Sequence, residues 1–185
     1  MAVNQTSPRQ AGELFSAPFE ELTVGQEFST RGRTVTEADV VGFASLTGDW
    51  HPQHSDAEWA ATGPFGERIA HGMLVISLAA GLVPFDPERV VALRRLGDVV
   101  FKRPVRLGDT LRVDGQVADL KPATDDAGLV TFAWKVLNQR GQPVCRARVE
   151  VLWRTGVPAN RGDERTDDHN GVAGGSAAAF DPDLR

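Results

Sequence analysis

Eleven consecutive residues, Met73 to Val83, carry no charge and a single polar side chain, Ser77. A helix that is apolar on every side is a buried helix. This one is far shorter than the ~20 residues needed to cross a bilayer, so protein must surround it. No other window approaches ~18 uninterrupted apolar residues, and no membrane span is expected.

The covering material is legible downstream. From Val90 the apolar residues recur with period two, broken by turns, and four strand candidates emerge: Leu96 to Val105, Leu111 to Leu120, Leu129 to Leu137 and Val144 to Trp153. At roughly 9–10 residues each they exceed the mean strand length of about 5–6. The separators, Leu107-Gly-Asp109, Ala123 to Gly128 and Asn138-Gln-Arg-Gly141, are short, which predicts antiparallel hairpins between neighbours. A buried helix followed by a long antiparallel meander predicts an α+β domain whose curled sheet wraps the helix. So apolar a helix also asks for the cover of a second copy of the chain.

Upstream, residues 1–17 are rich in Asn, Gln, Ser, Pro and Gly and are expected to form a loose arm, with one domain over residues 18–155. Phe28 to Val35 alternates polar and β-capable residues and predicts an edge strand. Thr36, with Glu37 and Asp39 behind it, is a helix start: a hydroxyl cap and two carboxylates over the positive end of the dipole. Val40, Val41, Phe43, Ala44 and Leu46 follow at helical spacing, Gly48 stops the helix, and Asp49 is delivered at its end. Asp56 to Thr62 reads as a short helix capped by Ser55 or Asp56 and broken by Gly63-Pro64. Residues 156–185 turn to Asn, Gly, Ala and Asp, hold three Arg against six Asp or Glu, and are expected to be disordered.

Charge narrows the partners. A net charge of -5 with a sequence pI near 5.4 argues against a nucleic-acid backbone, whose binding rests on a basic patch. Small molecules and proteins remain. The single cysteine, Cys145, has no internal disulfide partner, and Met1 to Gly12 lacks the apolar run of a signal peptide, which points to a reduced cytoplasm.

Two proton-moving groups, Asp49 and His54, precede the apolar helix. Taken singly, Asp49 is a turn-former at a helix end or a base, and His54 is a backbone-bonded structural imidazole or an acid–base group. Their company decides: Gly48-Asp-Trp-His-Pro-Gln-His54-Ser-Asp56, then Phe65-Gly-Glu-Arg-Ile-Ala-His-Gly-Met-Leu74, resembles the hydratase signature of the MaoC-like family, known for (R)-specific enoyl-CoA hydratases. Phe19 to Gly25 resembles that family's lead-in, and Phe101-Lys-Arg-Pro-Val-Arg-Leu-Gly-Asp-Thr-Leu111 its later strand-turn-strand. The likeness extends over roughly residues 19–154. It implies a hot-dog fold, a long central helix held in a curved antiparallel sheet, usually dimeric. It also implies reversible hydration of 2-enoyl thioesters without a cofactor. By motif, the catalytic aspartate falls on Asp49 and the catalytic histidine on His54. One departure stands out, since the family usually has asparagine where this chain has His51, here either supporting the loop or lining the pocket.

Dehydrating a 3-hydroxyacyl thioester needs a base for the α proton, an acid for the departing hydroxide and a donor for the enolate oxygen. Asp49 and His54 supply the first two around one water. For the third, Gly72 opens the apolar helix, where dipole and unpaired amides coincide and no side chain obstructs the thioester oxygen. His71 is expected to hold the helix entry by a hydrogen bond at the edge of the substrate site. Ser77, Ala80 and Val83, three apart, either line the acyl tunnel or belong to the core.

Other classes remain to be separated. Asp49, His51, His54 and His71 fall within 23 residues and are metal-ligand types, yet a His-x-x-His pair outside a helix does not fix a tetrahedral site, so no metal is expected. A hot-dog thioesterase would use a carboxylate on or beside the central helix, and Met73 to Val83 offers none. A non-catalytic acyl-thioester binder is the third alternative. Arg94, Arg95, Lys102, Arg103 and Arg106 form a local basic segment suited to coenzyme A phosphates, to an acidic acyl carrier protein, or simply to solvent. Cys145 reads as inert core.

Overall fold

The computed structural model describes residues 11–156. In chain order the elements are α1 (Ala11–Ser16), a 3-10 turn (Phe19–Glu21), β1 (Glu27–Ser29), β2 (Arg33–Thr34), α2 (Glu37–Thr47), α3 (Pro52–Ser55), α4 (Ala57–Ala61), α5 (Gly72–Leu82), β3 (Val90–Phe101), β4 (Thr110–Pro122), β5 (Ala127–Leu137) and β6 (Pro143–Arg154). The antiparallel strands run in the order β1-β4-β5-β6-β3, with β2 also on β4. The central helix lies on one face of this sheet, as expected.

Register explains which face is which. Directly paired residues point to the same side of a sheet. Val117↔Phe132↔Val149, Val130↔Val151, Val113↔Val136↔Cys145 and Gly128↔Trp153 therefore form the inner face, and these residues are buried. Their neighbours Lys135, Arg146, Arg148 and Arg154 are exposed. From α5, Leu74, Val75, Ile76, Leu78 and Ala79 pack against that face. Phe15, Phe28, Phe85, Phe132 and Trp153 close the wide end with ring centroids 4.9–6.4 Å apart.

Three expectations need correction. The arm expected over residues 1–17 does not hold for residues 11–16, which form α1 and bury Leu14 and Phe15 in the core. One helical turn with two apolar residues is too short a pattern to announce itself. Residues 1–10 and 157–185, the rest of the arm and nearly all of the expected tail, lie outside the described residues. The single edge strand over Phe28 to Val35 is instead two short pieces, β1 and β2, both paired with β4. Finally, β3 spans Val90–Phe101 rather than Leu96 to Val105, and it makes no hairpin with β4 but pairs with β6 at the far edge.

That third correction shapes the site. Eight residues, 102–109, separate β3 from β4, too many for a tight hairpin, and Pro104 has no amide to give a ladder. The segment crosses back beneath the start of α5, where Ala70 N–H donates to the Val105 carbonyl (2.8 Å) and Ile69 bridges Arg106. It thereby brings Lys102, Arg103, Pro104 and Val105 beside the end of α3 and the start of α5.

Within one chain, α5 is not covered all round. Met73 is 55% exposed, and Ser77 and Gly81 beside it are exposed too, leaving a stripe at spacing i, i+4, i+8. Beyond it, Leu93 and Leu96 pair with the inner-face residues Val151 and Val149, yet they are 60% and 36% exposed because the helix does not reach them.

Candidate functional site

The loop that carries Asp49 is anchored at both ends. Thr36 and Asp39 form a reciprocal capping box at the start of α2, and Gly48 ends the helix in the left-handed conformation (φ 77°), a backbone state that favours glycine. The turn then tightens through weak bonds from Asp49 N–H to Thr47 Oγ1 and from His51 N–H to Asp49 Oδ1, both 3.3 Å. Asp49 itself is exposed.

His54 sits in α3, half-buried. Its Nδ1 lies 2.7 Å from the Ile69 carbonyl, which only accepts, so Nδ1 carries the proton and Nε2 keeps a free lone pair. Burial is the main influence lowering its pKa from the ordinary imidazole value. The Ile69 bond and Asp49 oppose that fall, and His71 and His51 reinforce it. The neutral ring, with a base-ready Nε2, is thus favoured. The Ile69 carbonyl is fixed in turn by neighbours: Ile69 N–H donates to the Gln53 carbonyl (3.3 Å), Gln53 Nε2 to the Glu67 carbonyl (3.1 Å), and Arg68 makes a two-pronged pair with Glu37 at 2.8 and 2.6 Å.

Asp49, His54 and His71 each offer a ligand atom, all within 4.8 Å of one another. A water bridging two groups reaches about 5.5 Å, the sum of two ordinary hydrogen bonds, so one water can touch Asp49 and His54 together. A tetrahedral zinc would need its ligand atoms about 3.3 Å apart, from Zn–N bonds of ~2.0–2.1 Å. Among the described residues these three are the ones that could hold a cation, after closing around it.

His54 and Gly72 line a cavity of about 320 Å³ whose remaining wall is largely apolar, from Phe65, Ile69, Val75, Phe101, Val105 and Val144, with Lys102 and Arg103 also lining it. Gly72 opens α5, and the residue before it, His71, supplies no side-chain cap, so the first amides of the helix have no partner within it. The place of a Cβ at Gly72 is filled: it would stand 2.8 Å from Phe101 Cζ. The glycine thus admits an aromatic ring from the end of β3, a reason for it that no local pattern shows.

The other candidates lie elsewhere. His51 is exposed and caps α3, its Nδ1 accepting from Gln53 N–H at 3.1 Å, with Trp59 edge-on at 5.5 Å. Ser77 bonds its own helix at the Met73 carbonyl (2.9 Å), Ala80 is half-buried, and Val83 is core. None of these four is among the residues lining the cavity. The apolar wall from Val105 and Val144 went unread because it depends on the crossing of residues 102–109; Phe65 and Ile69 were within the quoted motif. Of the basic segment, Arg94 pairs with Glu150 and Arg106 with Glu67, and Arg103 donates to the Pro143 carbonyl. Cys145 is fully buried, and burial pushes its thiol up to about 11.

A helix cradled by an open antiparallel sheet, with an Asp and His at the helix entry, defines a hot-dog domain of hydratase type. A Mycobacterium tuberculosis protein with a double hot-dog fold superposes with TM-score 0.67, at 24% identity, over 89% of this chain and 52% of that one. Residues 19–137 match the model of the MaoC like domain, and the chain belongs to that family. It is 40% identical to 3-hydroxybutyryl-CoA dehydratase of Methylorubrum extorquens over 60% of this chain and 69% of the relative. It is 34% identical to the (R)-specific enoyl-CoA hydratase of Rhodospirillum rubrum over 66% and 82%. A 44% match to protein MaoC of Klebsiella aerogenes spans 54% of this chain and only 30% of that longer protein. Among solved structures, an R-hydratase from Pseudomonas aeruginosa superposes with TM-score 0.63 at 32% identity, over 85% of this chain and 96% of that one.

Proposed function

We propose that this chain reversibly hydrates 2-enoyl thioesters and, in the opposite direction, dehydrates (R)-3-hydroxyacyl thioesters. The observation that carries the reading is the approach of Asp49 and His54 to within 4.8 Å, with His54 Nε2 unprotonated beside a largely apolar cavity. In hydration, a water between the two groups loses a proton to one of them as its oxygen bonds C3. The C2=C3 electrons move toward the thioester carbonyl, whose oxygen gains charge beside the Gly72 amide, and a proton is then delivered to C2. Each positioned proton transfer is worth about 10²–10⁴ in rate. Stabilising the oxygen is worth a comparable ~10²–10³ per donor.

The cavity volume of about 320 Å³ and its apolar wall suit a short or medium acyl chain, with Lys102 and Arg103 toward an anionic carrier, coenzyme A or an acyl carrier protein. The working unit is a homodimer. The bare stripe of α5 and the exposed Leu93 and Leu96 on the edge strand form an apolar surface that a second copy would cover. Among the described residues no helix is long and apolar enough to cross a membrane, and we place the reaction in the cytoplasm.

Purified protein mixed with crotonyl-CoA tests the reaction. Loss of enoyl absorbance without free thiol is the expected result; release of free thiol would make the protein a thioesterase, and neither change would leave binding or an enoyl thioester of another chain length.

A further inference from the structure

His71 is the one imidazole among the described residues that is fully buried (2% exposed), and no proton-transfer step above uses it. It touches three parts of the site. Its Nε2 lies 3.0 Å from the main-chain carbonyl of Asp49, which only accepts, so Nε2 carries the proton. Its ring stacks on His54 with centroids 3.9 Å apart and planes at 30°, and it also meets Phe43 of α2 at 5.1 Å. It is also the residue immediately before the Gly72 amide. Its Nδ1 is buried with no hydrogen-bond partner.

We infer that His71 is a positioning residue that sets the relation of Asp49 to His54, bonding the main chain of one and stacking on the ring of the other. The inference rests on the proposed hydratase reading. Physically, Asp49 occupies an exposed turn whose own bonds are long at 3.3 Å, so the 3.0 Å bond from a buried ring is its firmest tether to α5. The stack likewise limits rotation of His54, already held at Nδ1. A misplacement of about 1 Å at a reacting pair costs on the order of 10²-fold in rate.

Two substitutions separate the two contacts. His71→Gln keeps an N–H at the reach of Nε2 and removes the ring; His71→Phe keeps a ring against His54 and removes the N–H. Both are read on the full chain by thermal melting, by kcat and KM for crotonyl-CoA, and by NMR titration of the His54 ring. The groups facing that ring are Asp49 before α3, His51 at its cap, His71 before α5, and Lys102 and Arg103 from the 102–109 crossing. The expected result is a fall in kcat of ~10-fold or more in each variant with KM within about threefold. The larger loss is expected for His71→Phe, where the Asp49 tether is gone. The apparent pKa of His54 should rise in both, because the neighbouring imidazole that holds it down has been removed. A change in melting alone, with kcat and the His54 titration as in the parent, overturns the inference. If the parent protein hydrates no enoyl thioester, the proposed reaction fails separately. The titration then decides, and an unmoved His54 counts against the positioning role.

Discussion

The wide end of the sheet and its β3 rim are built on different principles. At the wide end, Phe15, Phe28, Phe85, Phe132 and Trp153 interlock, Trp153 Nε1 donates to the Ala17 carbonyl (2.9 Å), and the inner faces of β5 and β6 are buried. At the rim, Leu93, Leu96 and Phe101 are exposed on the inner side, and β3 runs with three register shifts and a left-handed Asp98 (φ 49°). His54 and Gly72 line the cavity beside Phe101 of the rim. The difference teaches that stability is concentrated where one chain is self-sufficient, and chemistry where the chain is left open to substrate and to a second copy.

The contrast can be broken at either end. Phe132→Ala removes a fully buried ring from the finished region and should cost ~3–5 kcal/mol, read as a fall in chemical denaturation midpoint. A loss below about 1 kcal/mol would mean the wide end is not the stabilising half. Asp49→Asn and His54→Ala should each lower turnover by ~10²-fold or more, and the exposed Asp49→Asn should leave the midpoint within about 0.5 kcal/mol of the parent. Full activity in either variant would remove that residue from the mechanism. Leu93→Asp places a charge on the exposed apolar edge and should convert a dimer to a monomer in sedimentation velocity, weakening association by roughly 10²-fold. An unchanged dimer would put the interface elsewhere.

The smallest effect sharpens the boundary between the regions. Arg68 holds the Glu37 carboxyl below its ordinary pKa chiefly through their hydrogen bond. A carboxylate whose folded pKa is depressed adds stability above its unfolded pKa and loses it as pH falls through the folded one. Exposed pairs contribute about 0–1 kcal/mol, so Arg68→Met should cost a fraction of that at neutral pH and nothing in strong acid. Equal stability loss at both pH values would assign the effect to packing of the Arg68 stem.

What could be read ahead of the structure follows the range of the interactions involved. The Thr36 capping, the Gly48 stop and the α5 helix rest on contacts within a few residues, and sequence shows such contacts directly. Strand pairing between β4, β5 and β6 was legible because short turns leave little choice. The place of β3 was not, because pairing with β6 spans some fifty residues and is decided by inner-face matching rather than by a turn. Similarly, Asp49 and His54 belong to one short motif. The wall from Val105 and Val144 and the stacking of His71 on His54 exist only once the 102–109 crossing and the α5 entry have met.

The ring of Phe101 on the backbone of Gly72 makes those two positions a single unit for redesign. Enlarging residue 72 by even one methyl forces out an aromatic group 29 positions away. A pocket widened by trimming Phe101 would, by the same token, leave room for alanine at the helix entry. Variation at the two sites should therefore be correlated, and libraries that randomise one while freezing the other will discard their most useful members.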